Sequence, residues 1–348
     1  MLSERRSRVL RLSPLATLLL LLTSTGAPAE AQIEPPPCDP IVAFDRHNFP
    51  DTPRIDNPWL PLTPGTQLIM EGVADRGGGA LPHRVIFTAT DLTKVVRGVR
   101  TLVMWDLDIS EGRIAEAELA FFAQDDAGNV WNLGEYPEEY EEATFLGAPS
   151  AWIAGRAEAE AGVHMQAVPQ VSDREYLQGW APEVDFLDCA KVVSMTERTC
   201  VPEGCYEPVL LTHERSPLDP EGGIQTKSHA QGVGIVEIGA IDDPEGETLV
   251  LVDRLTLGPS AMAQVRREVL RMDKRAYRVA FRVYGRTLPI ESPRSAAVSR
   301  SGGGDLGGPR QGLKGAAAWC RRAFGPEVCR RWSGGTLVPG ARALDRRR

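Results

Sequence analysis

Apolar and polar residues alternate along much of the chain, and a period of two is typical of half-buried β-strands. The clearest case is the segment 101–109, in which every second side chain is apolar. These apolar positions are Val103, Trp105, Leu107 and Ile109. Asp106 and Asp108 fall between them, so the pattern predicts a strand with one apolar face and one acidic face.

A second pattern of this kind predicts a β-hairpin. Two segments rich in apolar and aromatic residues, 117–124 and 130–133, flank the turn sequence DDAGN. Asp, Gly and Asn favour tight turns, and both Gly and Asn tolerate a positive φ. We expect Trp131 to contact Phe121 or Phe122 across this hairpin.

Strand patterns dominate the rest of the central chain as well. About five strands at short spacing fall within residues 66–135, and residues 248–257 form another. Short strands separated by turn residues are the signature of antiparallel sandwiches and barrels. We therefore predict a mainly β domain, built as an antiparallel curved sheet or a barrel-like structure with one packed C-terminal helix.

That helix is predicted to begin near Ser260, whose side chain can serve as its N-cap. Apolar residues recur there at steps of three and four, and they are Met262, Val265, Val269, Met272 and Ala276. The spacing predicts that this stripe packs on the sheet, and a basic helix lying on a membrane surface is the alternative. Residues 277–288 are expected to form a closing strand.

The chain divides into four predicted parts. They are a signal peptide (1–31), a Pro-rich lead segment (32–56), a β-rich domain (57–290) and a basic Gly- and Arg-rich tail (291–348).

The N-terminal 31 residues have the organisation of a secretory signal peptide. A basic start precedes a leucine-rich run over 15–22, and small residues surround Ala31, with Ala29 as a second cleavage position. The leucine run is shorter than the ~20 residues that a transmembrane helix needs. We therefore expect cleavage after Ala31 and a secreted or periplasmic protein with no transmembrane segment after cleavage.

The cysteine content suits an oxidising compartment, because the chain has an even number, six. The pairs that sequence spacing favours are Cys200–Cys205, Cys320–Cys329 and, as the remainder, Cys38–Cys189. Six cysteines allow many other connectivities, which the sequence leaves open. A zinc site is less favoured, because the chain has no Cys-x2-Cys pair.

Charge is distributed unevenly along the chain, whose formal net charge is −8. Residues 294–348 hold twelve Lys and Arg against three acidic residues, so the preceding domain is strongly acidic. Phosphate contacts need a basic surface, so we expect no nucleic acid at this domain. We interpret the tail as a disordered extension, and docking on an anionic surface or on the acidic domain is the alternative.

The predicted domain contains several distinctive motifs: NPWLPLTPGT at 57–66, AFFAQDDAGNVWNLGEY at 120–136, AWIAG and AGVHMQAVPQ within 151–170, and QGVGIVEI at 231–238. Together they resemble a family of uncharacterised secreted bacterial proteins. The resemblance covers about residues 38–260 and leaves out the basic tail. It implies a β-rich exported domain, and it supplies no activity, cofactor or catalytic residue.

Paired carboxylates are the candidate catalytic groups. Asp106 and Asp108 share one face of a predicted strand, as do Glu116 and Glu118. Two such groups on opposing strands would provide the acid and the base of a glycoside hydrolase. Because the chain has 47 Asp and Glu residues, chance pairs are expected, and we assign no catalytic residue.

Metal and cofactor sites have less support from the sequence. The turn DDAGN lacks the ligand spacing of an EF-hand loop, and the five histidines are not paired at metal-ligand spacing. The chain contains neither a Gly-x-Ser-x-Gly sequence nor a dinucleotide fingerprint. We therefore expect no metal and no cofactor.

The leading functional hypothesis is a non-enzymatic protein of the cell envelope that binds a ligand on a curved β-sheet. The ligand would be an apolar or amphipathic small molecule, or another envelope component. Because tryptophan often lines barrel cavities, the candidate ligand-binding residues are Trp105, Trp131, Glu135 and His164. The alternatives are an envelope glycan hydrolase that uses an Asp/Glu pair and an interaction module that docks through the basic tail.

Overall fold

Strands account for most of the chain that the structure describes. The computed structural model describes residues 38–142, 144–292, 319–326 and 329. The predicted signal peptide lies outside these residues, as do the start of the lead segment and most of the basic tail, including its expected disorder.

The described residues form fourteen β-strands, numbered along the chain. They are β1 (Thr66–Asp75), β2 (Ala80–Val96), β3 (Val99–Ser110), β4 (Arg113–Gln124), β5 (Val130–Glu141), β6 (Thr144–Gly147), β7 (Trp152–Ile153), β8 (Glu160–Met165), β9 (Tyr176–Ala181), β10 (Phe186–Val201), β11 (Gly204–Arg215), β12 (Ile224–Ala230), β13 (Gly234–Ile241) and β14 (Thr248–Thr256). Two helices follow, α1 (Pro259–Val279) and α2 (Phe281–Tyr284), and residues 319–326 are also helical.

Twelve of these strands form a closed antiparallel barrel. Neighbouring strands follow the order β4, β3, β2, β1, β14, β13, β12, β11, β10, β9, β8 and β5. β5 then pairs with β4, which completes the ring, while the short strands β6 and β7 both pair with β5. The predicted mainly β, antiparallel fold is confirmed, and the barrel is the correct one of the two expected forms.

The two faces of the barrel wall follow the alternation in the sequence. On β3, Trp105 and Leu107 belong to the apolar cluster that also contains the buried residues of α1, and we call this side the outer face. Asp106 lies on the opposite side, where it lines a cavity enclosed by strands from around the ring, and we call this side the inner face. The acidic face predicted for this strand is therefore the inner one.

Helix α1 covers part of the outer face, as its apolar spacing predicts. Its stripe is buried throughout: Met262, Val265, Val269, Met272 and Ala276. The predicted packing of the helix on the sheet is thus confirmed. The N-cap is Gly258 rather than Ser260, two residues earlier than expected, and Pro259 occupies the first turn, where a missing N–H costs nothing.

Buried charges tie α1 to the sheet. Arg275 forms a two-pronged pair with Glu138 of β5, at 2.8 Å from Nε and 2.5 Å from the terminal nitrogen. The hydroxyls of Tyr136 and Tyr140 donate to the same carboxylate at 2.9 and 2.5 Å. Each oxygen of the buried carboxylate therefore accepts two hydrogen bonds.

A second buried ion pair involves Asp273, which lies two residues before Arg275 on α1. Lys94 of β2, which has no exposed surface, lies 3.2 Å from Asp273 and donates to the carbonyl oxygen of Leu288 at 2.7 Å. The ring of Tyr284 stacks against its ammonium group, 4.1 Å from the ring centroid. This contact comes from α2, so the prediction of a closing strand over residues 277–288 is wrong: the segment continues the helical layer.

The predicted hairpin forms, but its aromatic contacts differ from those expected. Trp131 lies opposite Ala123 rather than a phenylalanine, and its ring packs against Phe44 and Phe49 of the lead segment. Its indole nitrogen donates to Asp125 at 2.8 Å. The turn carboxylate is therefore occupied by donors from the hairpin itself.

The described residues contain three disulfide bonds. They are Cys38–Cys189, Cys200–Cys205 and Cys320–Cys329, the pairs that sequence spacing favours. The first connects the lead segment to β10, and the second closes the turn between β10 and β11. Within the described ranges, no helix has the length and apolar character needed to cross a bilayer.

Candidate functional site

The barrel interior contains a cavity of about 170 Å³. Its apolar lining includes Leu62, Leu68, Phe87, Met104, Phe122 and Ile235. Its polar lining includes Asp106, Glu118, Glu135, His164, Asp188 and Lys227. A cavity with both kinds of wall is the usual form of a small-molecule site.

The apolar and acidic walls are separated along the strands. On the inner face of β3, Met104 is followed two residues later by Asp106, and on β4 Phe122 stands four residues beyond Glu118. The antiparallel register places Asp106 directly opposite Glu118. Because alternate residues of a strand are about 7 Å apart, the cavity changes from apolar to acidic over roughly the length of a small molecule.

A β-bulge adds a further carboxylate to the acidic wall. β5 has one more residue than β4 between the pairs Phe122–Asn132 and Ala120–Glu135. The bulge contains Gly134, whose φ is 148°, and a Cβ there would lie 2.7 Å from the carbonyl oxygen of a residue in β7. The extra residue reverses the alternation and turns Glu135 towards the cavity.

The carboxylates of this wall differ in their hydrogen bonds. Glu135 accepts from Asn132 Nδ2 at 2.5 Å and from Trp152 Nε1 at 3.1 Å. Oδ1 of Asp106 is buried and has no hydrogen-bond partner among the described residues. The charges that act most strongly on Glu118 belong to other carboxylates, Glu135 first. The protein thus supplies two donors to Glu135 and leaves one oxygen of Asp106 without a described donor.

Burial disfavours ionisation of these groups. It raises the pKa values of Asp106 and Glu118 well above their ordinary range, and the neighbouring carboxylates add to both shifts. For the same reasons the pKa of Asp188 rises to about 7, and that of Glu116, on the adjoining part of β4, also rises to about 7. Burial and the neighbouring carboxyl groups therefore favour the protonated form of these groups.

Lys227 stands at the edge of the cavity in an ion pair. Its Nζ lies 2.6 Å from Oε2 of Glu214. Burial opposes the charge on Glu214, but the ammonium group lowers the pKa of this carboxyl to about 2. Burial also opposes the charge on Lys227, and the carboxylates of Glu214 and Asp188 raise its pKa nonetheless. Both members of the pair are charged at neutral pH.

The two histidines in this region are neutral. Burial lowers the pKa of His164 to about 4. His229 lies two residues after Lys227 on β12, on the same face of that strand, and burial lowers its pKa to about 3. Lys227 is therefore the cationic side chain in the described lining of the cavity. Against it stand the four carboxyl groups of Asp106, Glu118, Glu135 and Asp188.

A second, more open cavity of about 470 Å³ adjoins the first, because both are lined by Asp188 and Lys227. Six acidic side chains and three basic ones line it, so its charge is also negative. Arg76 and Glu247 belong to this lining and lie near the acidic end of the inner cavity. The two spaces therefore share lining residues, and acidic side chains outnumber basic ones in both.

The structure separates the four residues that the sequence proposed for ligand binding. Glu135 and His164 line the inner cavity. Trp105 and Trp131 lie on the outer face instead, where they pack in the apolar cluster. Both tryptophans lie on the packed outer face because a large apolar ring is most stable where helix and sheet exclude water.

Sequence reasoning missed Asp188, Lys227 and Gln178, all of which line the cavity. Asp188 lies in a β10 segment whose alternation is interrupted by a bulge, and Lys227 lies in β12 next to another. For Asp188, a charged residue in an otherwise apolar part of β10 was the available signal, since such residues are rarely buried without a role. β12 is largely polar and gave no such signal for Lys227.

The side chains of the cavity are not arranged as a metal site. Among the described residues, no group of three or more His, Cys, Asp or Glu side chains has the arrangement needed to hold a metal ion.

Comparisons with known proteins give little for this chain. Neither a family model nor a curated protein matches it. Two solved structures are similar: a candidate exported protein with a YmcC-like fold from Bacteroides fragilis (11% identity, TM-score 0.30) and a candidate lipoprotein from Parabacteroides distasonis (13% identity, TM-score 0.33). Each alignment covers 57% of this chain and 98% of the other. TM-scores this low carry no argument about fold or function.

Proposed function

We propose that this is an exported envelope protein that binds a small amphipathic molecule inside its barrel. The binding site is the inner cavity, not the concave surface of an open sheet. The observation that carries the proposal is the division of one enclosed space into an apolar wall and an acidic wall. A ligand with one apolar and one polar end would satisfy both walls at once.

The export part of the proposal rests on the sequence and the cysteines. The leader has the organisation of a cleaved signal peptide, and all the described cysteines are paired in disulfide bonds. Disulfide bonds of this kind persist in the periplasm or outside the cell.

The proposal is tested by native mass spectrometry of the protein isolated from the envelope and by displacement of a fluorescent lipid. We expect a bound small molecule, and we expect Met104→Trp to lose it, because the larger side chain fills the apolar end of the cavity. Leu288→Trp is the matched control, since Leu288 is exposed on the surface. A folded wild-type protein with neither a bound mass nor lipid displacement would overturn the proposal.

A second candidate function is hydrolysis of an envelope glycan. The observation in its favour is that Asp106 lies directly opposite Glu118 while Glu135, beside them, accepts two hydrogen bonds. A carboxyl with a raised pKa could act as the acid, and a hydrogen-bonded carboxylate as the base or nucleophile. Turnover of peptidoglycan or polysaccharide that disappears in Glu118→Gln and in Glu135→Gln would support it, and no turnover by the wild-type protein would exclude it.

A further inference from the structure

The chemistry of the acidic wall points to one class of ligand. We propose that the bound molecule carries an ammonium group, held between Asp106 and Glu118, with its apolar part against Met104 and Phe122. This inference rests on the proposed binding function and specifies the charge of the ligand.

The first argument is the missing donor. Two other inner carboxylates have hydrogen-bond donors within the protein. Glu135 accepts from Asn132 and Trp152, and Glu214 accepts from Lys227. Asp106 has a buried oxygen that no described group approaches as a donor, although this residue lines the cavity. A buried acceptor without a partner is costly unless a ligand or a proton satisfies it.

The second argument is the charge of the whole site. Asp106 lies directly opposite Glu118 of β4, and it is also faced by Glu116 of the same strand, by Glu135 of β5 and by Lys227 of β12. The one cation of this set is already engaged with Glu214. An anionic ligand would therefore meet carboxyl groups and no free cation in the described lining, whereas an ammonium group would meet several acceptors.

The third argument is the way into the site. The adjoining open cavity carries an excess of acidic side chains, so it would raise the local concentration of cations near the inner cavity. The apolar wall lies beyond the acidic one, two to four residues further along β3 and β4. An amine with a short hydrocarbon chain matches this order when its apolar end enters first.

Binding would exchange a cation for a proton. In the empty site burial favours the protonated form of the acidic wall's carboxyl groups, and an arriving ammonium group would favour ionisation of one of them, which would release its proton to solvent. The N–H donors of the ligand then satisfy the ionised oxygens, so the number of charges in the site is balanced.

The inference is tested with three probes of equal length: n-hexylamine, n-hexanol and n-hexanoate. Isothermal titration calorimetry on the wild-type protein is expected to show the amine binding at least about tenfold more tightly than the alcohol, with no binding of the carboxylate. The amine should also release protons, so its apparent enthalpy should change with the ionisation enthalpy of the buffer. The alcohol should show no such change.

Two isosteric variants locate the effect. Asp106→Asn and Glu118→Gln should each weaken amine binding about tenfold while leaving alcohol binding unchanged. Glu197→Gln is the control, because Glu197 lies exposed on β10. Equal binding of amine and alcohol to the wild-type protein would overturn the inference and leave the proposed function standing. Preference for the carboxylate, or an amine affinity unchanged in both variants, would also overturn it.

Discussion

The two faces of the barrel wall differ in the partners of their buried charged groups. On the outer face, Glu138 is paired with Arg275 and Lys94 with Asp273, and each charge has a partner of opposite sign at hydrogen-bond distance. On the inner face, Asp106 lies opposite another carboxyl, and one of its buried oxygens has no described partner.

This difference separates stability from function within one set of strands. A buried charge with a complete set of partners fixes one arrangement of helix and sheet. Buried carboxyl groups that crowd around a cavity destabilise the empty protein and are rarely retained without a use. Under the proposed function, the outer face holds the fold together and the inner face retains a binding site at some cost in stability.

The largest expected effect comes from breaking a pair on the outer face. Arg275→Met should lower the free energy of unfolding by about 3–5 kcal/mol, because it leaves Glu138 charged and buried without its partner. Urea denaturation followed by circular dichroism measures this change. A loss below about 1 kcal/mol would show that the pair does not stabilise the outer face.

A smaller effect of opposite sign is expected on the inner face. Asp188 has a pKa of about 7 in the folded protein, so it holds a proton that the unfolded chain releases near its ordinary value of about 4. Raising the pH through this range therefore favours the unfolded state. Asp188→Asn removes this contribution and should stabilise the protein by about 1–3 kcal/mol above pH 8, because each tenfold change in proton affinity corresponds to about 1.4 kcal/mol.

His164 changes the pH dependence of stability in the opposite sense to Asp188, so the pH range of the measurement must exclude its titration. Its pKa is lowered to about 4, so it contributes stability that is lost as the pH falls below the ordinary value of about 6.5. Thermal unfolding should therefore be followed from about pH 6.5 to pH 8.5. We expect the melting temperature of the wild-type protein to fall over this range and that of Asp188→Asn to fall less, with Glu197→Gln behaving as wild type.

The smallest effect is expected at the protein surface. Arg282 pairs with Glu183, but 84% of the arginine side chain is exposed. Arg282→Met should change the free energy of unfolding by less than about 1 kcal/mol, because solvent screens an exposed pair. It uses the same substitution as Arg275→Met, so equal losses in the two variants would contradict the distinction between buried and exposed pairs.

Local patterns in the sequence predicted much of the fold. The alternation in β3, the hairpin turn and the apolar stripe of α1 each describe neighbours within one element, and each is present in the structure. The candidate site was predicted only in part. The alternation identified Asp106 and Glu118 as sharing faces with other carboxylates, but it could not identify which face of the sheet encloses a cavity.

The bulge at Gly134 shows why the remainder was missed. Strict alternation would place Glu135 on the same face as Trp131 and Leu133, yet the extra residue turns it to the inner face. Asp188 and Lys227 come from strands about 80 and 120 residues after Asp106, and no local pattern connects them to it. Closure of the ring brings them together.

The sequence by itself determined a mainly antiparallel β protein with a packed helix and strands having one apolar and one acidic face, because these features depend on neighbours a few residues apart. Only the tertiary structure decided that the acidic face lies inside. Ring closure gathers carboxyl groups from distant strands into one enclosed space, while α1 covers the tryptophan-bearing face from outside. Burial then shifts the ionisation of these carboxyl groups, which no single strand could do.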